Sequence, residues 1–485
     1  MGRHALTATL RYFSERSSDH QEKRLYSDEL CDVVVNVEAM ADLLDIARSV
    51  LSWSNEGEAV EVVAVHERDT EIRVYQGEIE QFTASESQGV GVRVIVDNKQ
   101  GFAYAGSLDE SVLAETLAEA RDNATFGTPD EFLGLASPDG VPVQSLDLYD
   151  QAVADMATDA KIDMAIKLEE QTLASDPRIT GIESADYVDS ISESALVSTA
   201  GVEVTSRDSG SYVTASALAE EDGDAQIGFG FSVGRNPADL DVERAAADAG
   251  DRATRLLGAT QPKSERVTIV FDPFVTAQFL AILGGTMSGE AVMKGYSLFA
   301  NRMGEEVASP LFTLIDDPTN RDAFTASETD GEGMASRRNV LIDGGRLNTF
   351  VHNAYTGRRM DAASTGSAVR SYSSVPGVGT RALFLEPGTK SQQELISGID
   401  NGVLIQGVAG IHSGVNPVSG DFSTGAEGLR ISDGELGEPL REITIASTLQ
   451  KMLSDIQAVG NDVDWLPMSA AGVSLVIADV TMSGI

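Results

Sequence analysis

The stretch from Phe271 to Phe299, FDPFVTAQFLAILGGTMSGEAVMKGYSLF, constrains the fold of this chain more than any other. It reads as a strand end, a turn and a buried helix. Asp272 is placed to cap the helix, because a short acceptor side chain there takes up an orphan backbone N–H. Pro273 fits the first helical position, where its missing N–H costs nothing. Val275, Phe279, Leu280, Ile282 and Leu283 then give apolar side chains nearly all round, the pattern of a helix enclosed by protein. The stretch carries little chemistry. Past its N-cap it contains no histidine, and its only carboxylate is Glu290, after the glycine pair.

Taken in order, the chain divides into four parts. Residues 1–39 carry a near-balanced charge and two of the five histidines, unlike the acidic remainder, and read as a disordered extension or an over-long translation start. From 40 to 145 a helix, MADLLDIARSVLSW, precedes strands at Val60–His66, Glu71–Gln76, Gly89–Val96 and Gly101–Ala105. Ser107 to Glu110 forms a capping-box pattern that opens a helix to about Ala124. A polar link leads to a second module, 146–262. It has a helix from Asp150 to Ala174, strands near Gly181–Ser190, Ala195–Thr199, Gly201–Ser206, Tyr212–Ala219 and Gln226–Val233, and a helix from Asp241 to Leu257. Helix, strands and closing helix occurring twice suggest a loose internal duplication. From 263 to 485 the chain is glycine-rich strand and turn, with hairpins at Asp343-Gly344-Gly345 and Asp433-Gly434. The expected class is α+β: N-terminal strand-and-helix modules, then a curved, barrel-like β domain enclosing the central helix.

The charge balance bears on partners. There are 76 acidic against 35 basic residues, a formal net charge of −41, and lysine is scarce. Acid spread along a whole chain suits a protein soluble in concentrated salt, where charges are screened within about 3 Å at 1 M. It therefore implies a halophilic setting. Nucleic acid is excluded as a partner, since no basic stripe exists to displace counterions. The single cysteine, Cys31, excludes an internal disulfide framework. The longest apolar run, 273–285, is too short to cross a bilayer, and the N-terminus lacks a signal-peptide pattern, so the expectation is a cytoplasmic protein without membrane contact.

Several segments from about Met40 to the end resemble the TldD/PmbA family of peptidases: Lys294 to Phe299 (KGYSLF), Ser364-Thr365-Gly366, Glu386-Pro387-Gly388, Gly414 to Asp421 (GVNPVSGD) and Gly460-Asn461-Asp462. The resemblance implies paired subunits acting on peptides and unfolded proteins, one of which, TldD, holds zinc through a His-Glu-x-x-x-His helix and a distant cysteine. Counted back from Lys294, those helix positions fall on Leu280, Ala281 and Gly285, none of which can ligate zinc. The match is therefore to the other member, TldE or PmbA.

Other patterns carry less. His66-Glu67 lies on a strand with Thr70 where a second histidine would be needed, so it is not half a zinc motif. His352 and His412 lack helical spacing and read as structural. Gly228 to Gly234 (GFGFSVG) is strand rather than a dinucleotide loop, and Gly388 to Ser391 is no P-loop. Ser413 beside His412 fails as a nucleophile–base pair if both sit on a strand, where neighbours face apart. The resemblance places the loop Ser364–Tyr372 near the cleft by which peptide reaches the zinc. Thr365, Gly366, Arg370 and Tyr372 then become substrate-side or partner-side residues, with Arg370 available to pair with a carboxylate. Asn416 and Asp421 read as a structural turn beside the same cleft.

The expectation is a TldE-like subunit without catalytic residues or a metal of its own, inactive alone. Its partners would be a zinc-bearing TldD-like chain and an extended or unfolded peptide, with a homodimer open to the isolated chain. A stand-alone peptide-binding adaptor and an autonomous hydrolase are the rival readings.

Overall fold

The computed structural model describes Ala8, Thr9 and residues 39–485. The reading of residues 1–39 as an extension thus lies almost wholly outside the described residues.

The first module comprises β1 (Ala8–Thr9), α1 (Ala39–Ser52), β2 (Ala59–Tyr75), β3 (Glu78–Val96), β4 (Lys99–Ala105) and α2 (Glu110–Phe126). The second comprises α3 (Gln151–Asp155), α4 (Thr158–Ala174), β5 (Ile179–Ser198), β6 (Glu203–Glu221), β7 (Asp224–Gly234) and α5 (Val242–Arg255). Their strands form a single seven-stranded antiparallel sheet. β2 and β5 lie side by side at its centre, in register from Glu61↔Ser198 to Val74↔Ala185. Outward from β2 come β3 and β4; outward from β5 come β6 and β7. The order is the same in both directions, as an internal duplication would produce.

The strands run longer than the sequence pattern predicts, because charged middles are satisfied across strands rather than by turns. His66 Nε2 meets Glu86 at 2.5 Å and Arg207 meets Glu193 at 2.8 Å across neighbouring strands, and Lys161 reaches down from α4 to Asp189 of β5 at 2.5 Å. Each end of the sheet has its own core. Leu43, Ala47 and Val50 of α1 and Leu113 and Leu117 of α2 cover Val62, Val92 and Val197. Ala165 and Leu168 of α4 and Ala245, Ala249 and Ala253 of α5 cover Ile72, Tyr187 and Val213. Gly228 and Gly230 let β7 approach α5 at backbone contact, since a Cβ at either would collide with the helix backbone.

Two helix starts differ from expectation. Ser107 donates to the Asp109 carboxylate, so Asp109 at the N-cap of α2 makes no capping bond and the box does not form. The helix expected over 150–174 breaks at Met156 and Ala157, both extended, leaving α3 and α4 separate.

The third part contains β8 (Glu265–Phe271), α6 (Pro273–Thr286), α7 (Gly289–Met293), β9 (Leu314–Asp316), β10 (Asn339–Asp343), β11 (Arg346–Leu347), α8 (Ala354–Arg359), β12 (Ala368–Val369), β13 (Gly377–Val378) and β14 (Leu383–Leu385). After them come α9 (Gln392–Ile396), β15 (Asn401–Ala409), α10 (Ile411–Gly414), β16 (Asp421–Ser432), β17 (Glu435–Thr448), α11 (Leu449–Ser454), β18 (Ile456–Val459) and β19 (Leu475–Ser483). The circuit β17–β16–β15–β8–β19 closes on itself through a β17–β19 pairing, giving a five-stranded barrel. α6 packs between barrel strands and the small β11–β10–β9–β14 sheet: Val275, Phe279, Leu280 and Leu283 share one core with Phe271, Ile405, Leu314 and Leu383. Asp272 caps it as expected, accepting from the Phe274 N–H at 3.0 Å. The chain is thus α+β, with a barrel-bearing C-terminal domain built on one helix. Among the described residues no helix is long and apolar enough to cross a membrane.

Candidate functional site

α6 is not enclosed all round. Gln278 is half-buried and Ala281 and Gly285 are exposed, forming one open stripe along the helix. A Cβ at Gly285 would meet nothing within 4 Å, whereas one at Gly284 would collide with Leu383 and Thr380. Apolarity alone could not reveal this, because alanine and glycine count as apolar yet leave space. Of the three positions aligned with a zinc motif, Leu280 is fully buried and the other two lie on the open stripe. None carries a donor atom, and among the described residues no group of three histidine, cysteine or carboxylate side chains is placed to hold a metal ion. These residues do not fit zinc. The open face offers shape and apolar surface, and no acid or base.

The Ser364–Tyr372 loop lies against the first module's sheet. Thr365 is locked to His352: its hydroxyl accepts from the His352 N–H at 2.7 Å and sits 2.8 Å from Ser367 Oγ. Gly366 has φ +65°, and a Cβ there would collide with the Ala335 carbonyl, so glycine is required by fit. Tyr372 packs over Gly89 and Gly91 of β3 and meets the Tyr104 ring edge-on at 6.1 Å.

Arg370 is buried and paired. Its guanidinium bonds one oxygen of Glu61, while Arg93 bonds the other at 2.9 Å. Burial alone would raise the Glu61 pKa, but Arg93 and Arg370 together hold it below the usual carboxylate value. Glu332 lies 3.8 Å beyond Arg93 and accepts the Ala354 N–H that opens α8; burial pushes its pKa up to about 7 against the pull of Arg93. Two arginines and two glutamates therefore meet where the first sheet touches the C-terminal domain. Glu61, Arg93 and Glu332 were not singled out from sequence. The available signal was a lone charge in strands apolar on both phases, Glu61 within AVEVVAV and Arg93 within GVGVRVIV, each on the phase opposite the core under α1 and α2.

His352 is buried with its ring Nδ1 3.3 Å from Thr356 Oγ1, and burial lowers its pKa, which favours the neutral ring. Asn416 and Asp421 form an exposed turn. Asn416 accepts from the Val418 and Ser419 N–H groups, and Asp421 accepts from the Ser419 hydroxyl at 2.7 Å. Residues 411–414 form α10 rather than a strand, launched from Gly410 at φ +71°, so the face-apart argument about positions 412 and 413 does not apply. The structure brings Thr365, Gly366, Arg370 and Tyr372 together on one loop, against the first sheet.

Three family models match in succession: PmbA/TldA metallopeptidase domain 1 over residues 60–124, the central domain over 152–257 and the C-terminal domain over 264–484. Metalloprotease PmbA of Escherichia coli O157:H7 is 24% identical over 436 residues, 89% of this chain and 94% of that protein. A metalloprotease of Methanothermobacter thermautotrophicus is 27% identical over 419 residues, 84% of this chain and 88% of its own. Among solved structures, one described as a modulator of DNA gyrase from Thermotoga maritima MSB8 superposes with a TM-score of 0.82 at 25% identity, covering 92% of this chain and 100% of that one. TldE from Thermococcus kodakarensis shares the fold with a TM-score of 0.82 at 23% identity, over 92% of this chain and 100% of its own.

Proposed function

The chain belongs to the PmbA/TldD metallopeptidase family, and from that premise we propose that it is the non-catalytic, TldE-like subunit of a two-chain zinc metallopeptidase. Its partner is a TldD-like chain that holds the metal, and the complex cleaves peptides and unfolded proteins. One observation carries this reading: the open face of α6 presents Ala281 and Gly285, which lack donor atoms. Zinc bound in the partner would supply the activated water for hydrolysis. This chain builds part of the enclosure and holds extended peptide in it. A net charge of −41 suits work in concentrated salt, and its thermal midpoint should rise with KCl into the molar range as self-repulsion is screened.

The test is co-expression with a homologue bearing His-Glu-x-x-x-His, followed by size exclusion in molar KCl and a peptidase assay. Co-elution, with chelator-sensitive activity that needs both chains, supports the reading. Chelator-resistant activity of this chain alone defeats it.

A further inference from the structure

The seven-stranded sheet ends at an open edge. β7 pairs with β6 from Glu221↔Asp224 to Ser211↔Gly234 and, among the described residues, with no strand on its other side. A cleft of about 490 Å³ lies against the end of that strand, and five consecutive residues, Phe231 to Arg235, line it. Successive strand residues face opposite sides of a sheet, so a cavity on one face would touch every second residue. Contact with all four strand residues, Phe231 to Gly234, places the cavity at the edge, where an outer strand leaves backbone N–H and C=O groups unpaired. The remaining walls agree: Asp239 and Arg244 come from the α5 side, residues 321–324 from the opposite side, and Val463 to Trp465 close the outside.

Two of the three cleft arginines are already committed. Arg235 donates to the carbonyls of Ser209 at 3.0 Å and Ala323 at 2.9 Å, fixing the floor. Arg244 pairs with Asp464 at 2.5 Å, tying α5 to the outer wall. Asp239 and Asp322 are exposed and, among the described residues, form no ion pair. Two rings are held ready on the walls: Phe324 edge-on to Tyr212 at 6.2 Å, and Trp465 against Phe384 at 5.8 Å.

We propose that this cleft binds an extended peptide, added as a strand along Phe231–Gly234, with an apolar side chain against Phe324 and Trp465 and a basic one facing Asp239 and Asp322. Four paired residues span about 13 Å at the usual rise. Backbone pairing supplies affinity and alternate side-chain sites supply selectivity. The acidic rim, in a chain of net charge −41, favours basic over acidic peptides. The inference rests on the peptidase-subunit reading for the occupant being substrate.

The experiment uses the full chain alone and a labelled, end-capped hexapeptide alternating lysine and valine. Fluorescence polarisation reads affinity, and hydrogen exchange reads which amides become protected. The expected result is slowed exchange confined to residues 231–234. An alternately N-methylated peptide should bind at least tenfold more weakly, and so should the parent peptide to the surface double variant Asp239→Lys/Asp322→Lys. Equal binding of the N-methylated peptide would overturn strand addition. Protection on the β4 edge instead, or no saturable binding, would overturn the site. Protection of 231–234 by the zinc-bearing partner without peptide would overturn substrate as the occupant. Each of these failures leaves co-elution and shared activity of the two chains untouched, so the subunit reading is judged separately.

Discussion

Arg370 and Glu61, 309 residues apart, are bonded across the junction between the first sheet and the C-terminal domain, and Arg93 holds the other oxygen of the same carboxylate. The pairing makes Arg370 an anchor between domains. Without Arg370 the Glu61 carboxylate keeps Arg93 but loses one of its two buried cationic donors, a charge-assisted hydrogen bond of about 1.5–3 kcal/mol. Arg370→Ala should therefore lower the thermal midpoint by several degrees while leaving peptide affinity within twofold. An unchanged midpoint with lost peptide affinity would return Arg370 to the substrate.

The same junction is packed without slack around Tyr372. A Cβ at Gly89 would collide with the Tyr372 ring, and one at Gly91 with the Tyr372 backbone carbonyl. A ring can swing aside and a backbone cannot. Gly91→Ala should cost about 1–3 kcal/mol and expose the 364–372 loop to protease, whereas Gly89→Ala should cost less. Tyr372→Ala should rescue Gly89→Ala and fail to rescue Gly91→Ala. Equal rescue of both would mean that the loop moves as a whole.

Asp208 faces Glu67 and Arg235 at the middle of the sheet, and burial pushes its pKa up to about 6 despite Arg235. Below its ordinary value of 3.8 the carboxyl is protonated whether folded or not. Between there and about 6 the unfolded chain has released the proton and the folded chain has kept it, so stability falls as pH rises through this window. Above it the penalty is constant. Asp208→Asn removes it, and should stabilise the protein at pH 7.5 by on the order of 2 kcal/mol while flattening the pH 4–6 slope. A parallel slope in the variant would assign the dependence to other groups.

What was legible in the sequence was local. The Asp272 cap, the Pro273 start and the Asp433-Gly434 turn depend on neighbouring residues alone, and each stands where the pattern put it. The strand middles were not legible. His66 to Thr70 is polar on both phases and looks like a loop until Glu86 and Glu193 arrive from strands 20 and 127 residues along the chain. The loop at 364–372 could be identified but not placed, because Glu61, its anchor, lies in the other domain. The open stripe on α6 was hidden for a related reason: Ala281 and Gly285 signal exposure only once the surrounding strands are known to stop short of them.

Asp272 serves two purposes that substitution can separate. Its side chain caps α6 through the Phe274 N–H and also pairs with Arg252 of α5 at 3.0 Å, joining the second module to the C-terminal domain. Asparagine keeps the cap and loses the charge; alanine loses both. Asp272→Ala should therefore be less stable than Asp272→Asn by about 1 kcal/mol, the usual contribution of a cap. In an Arg252→Met background, which removes the stranded cation, Asp272→Asn should become nearly neutral while Asp272→Ala keeps its cap penalty. Denaturant midpoints of the three single variants and the two double variants measure both terms. If alanine and asparagine cost the same in both backgrounds, the cap contributes nothing and the ion pair alone fixes the start of the helix.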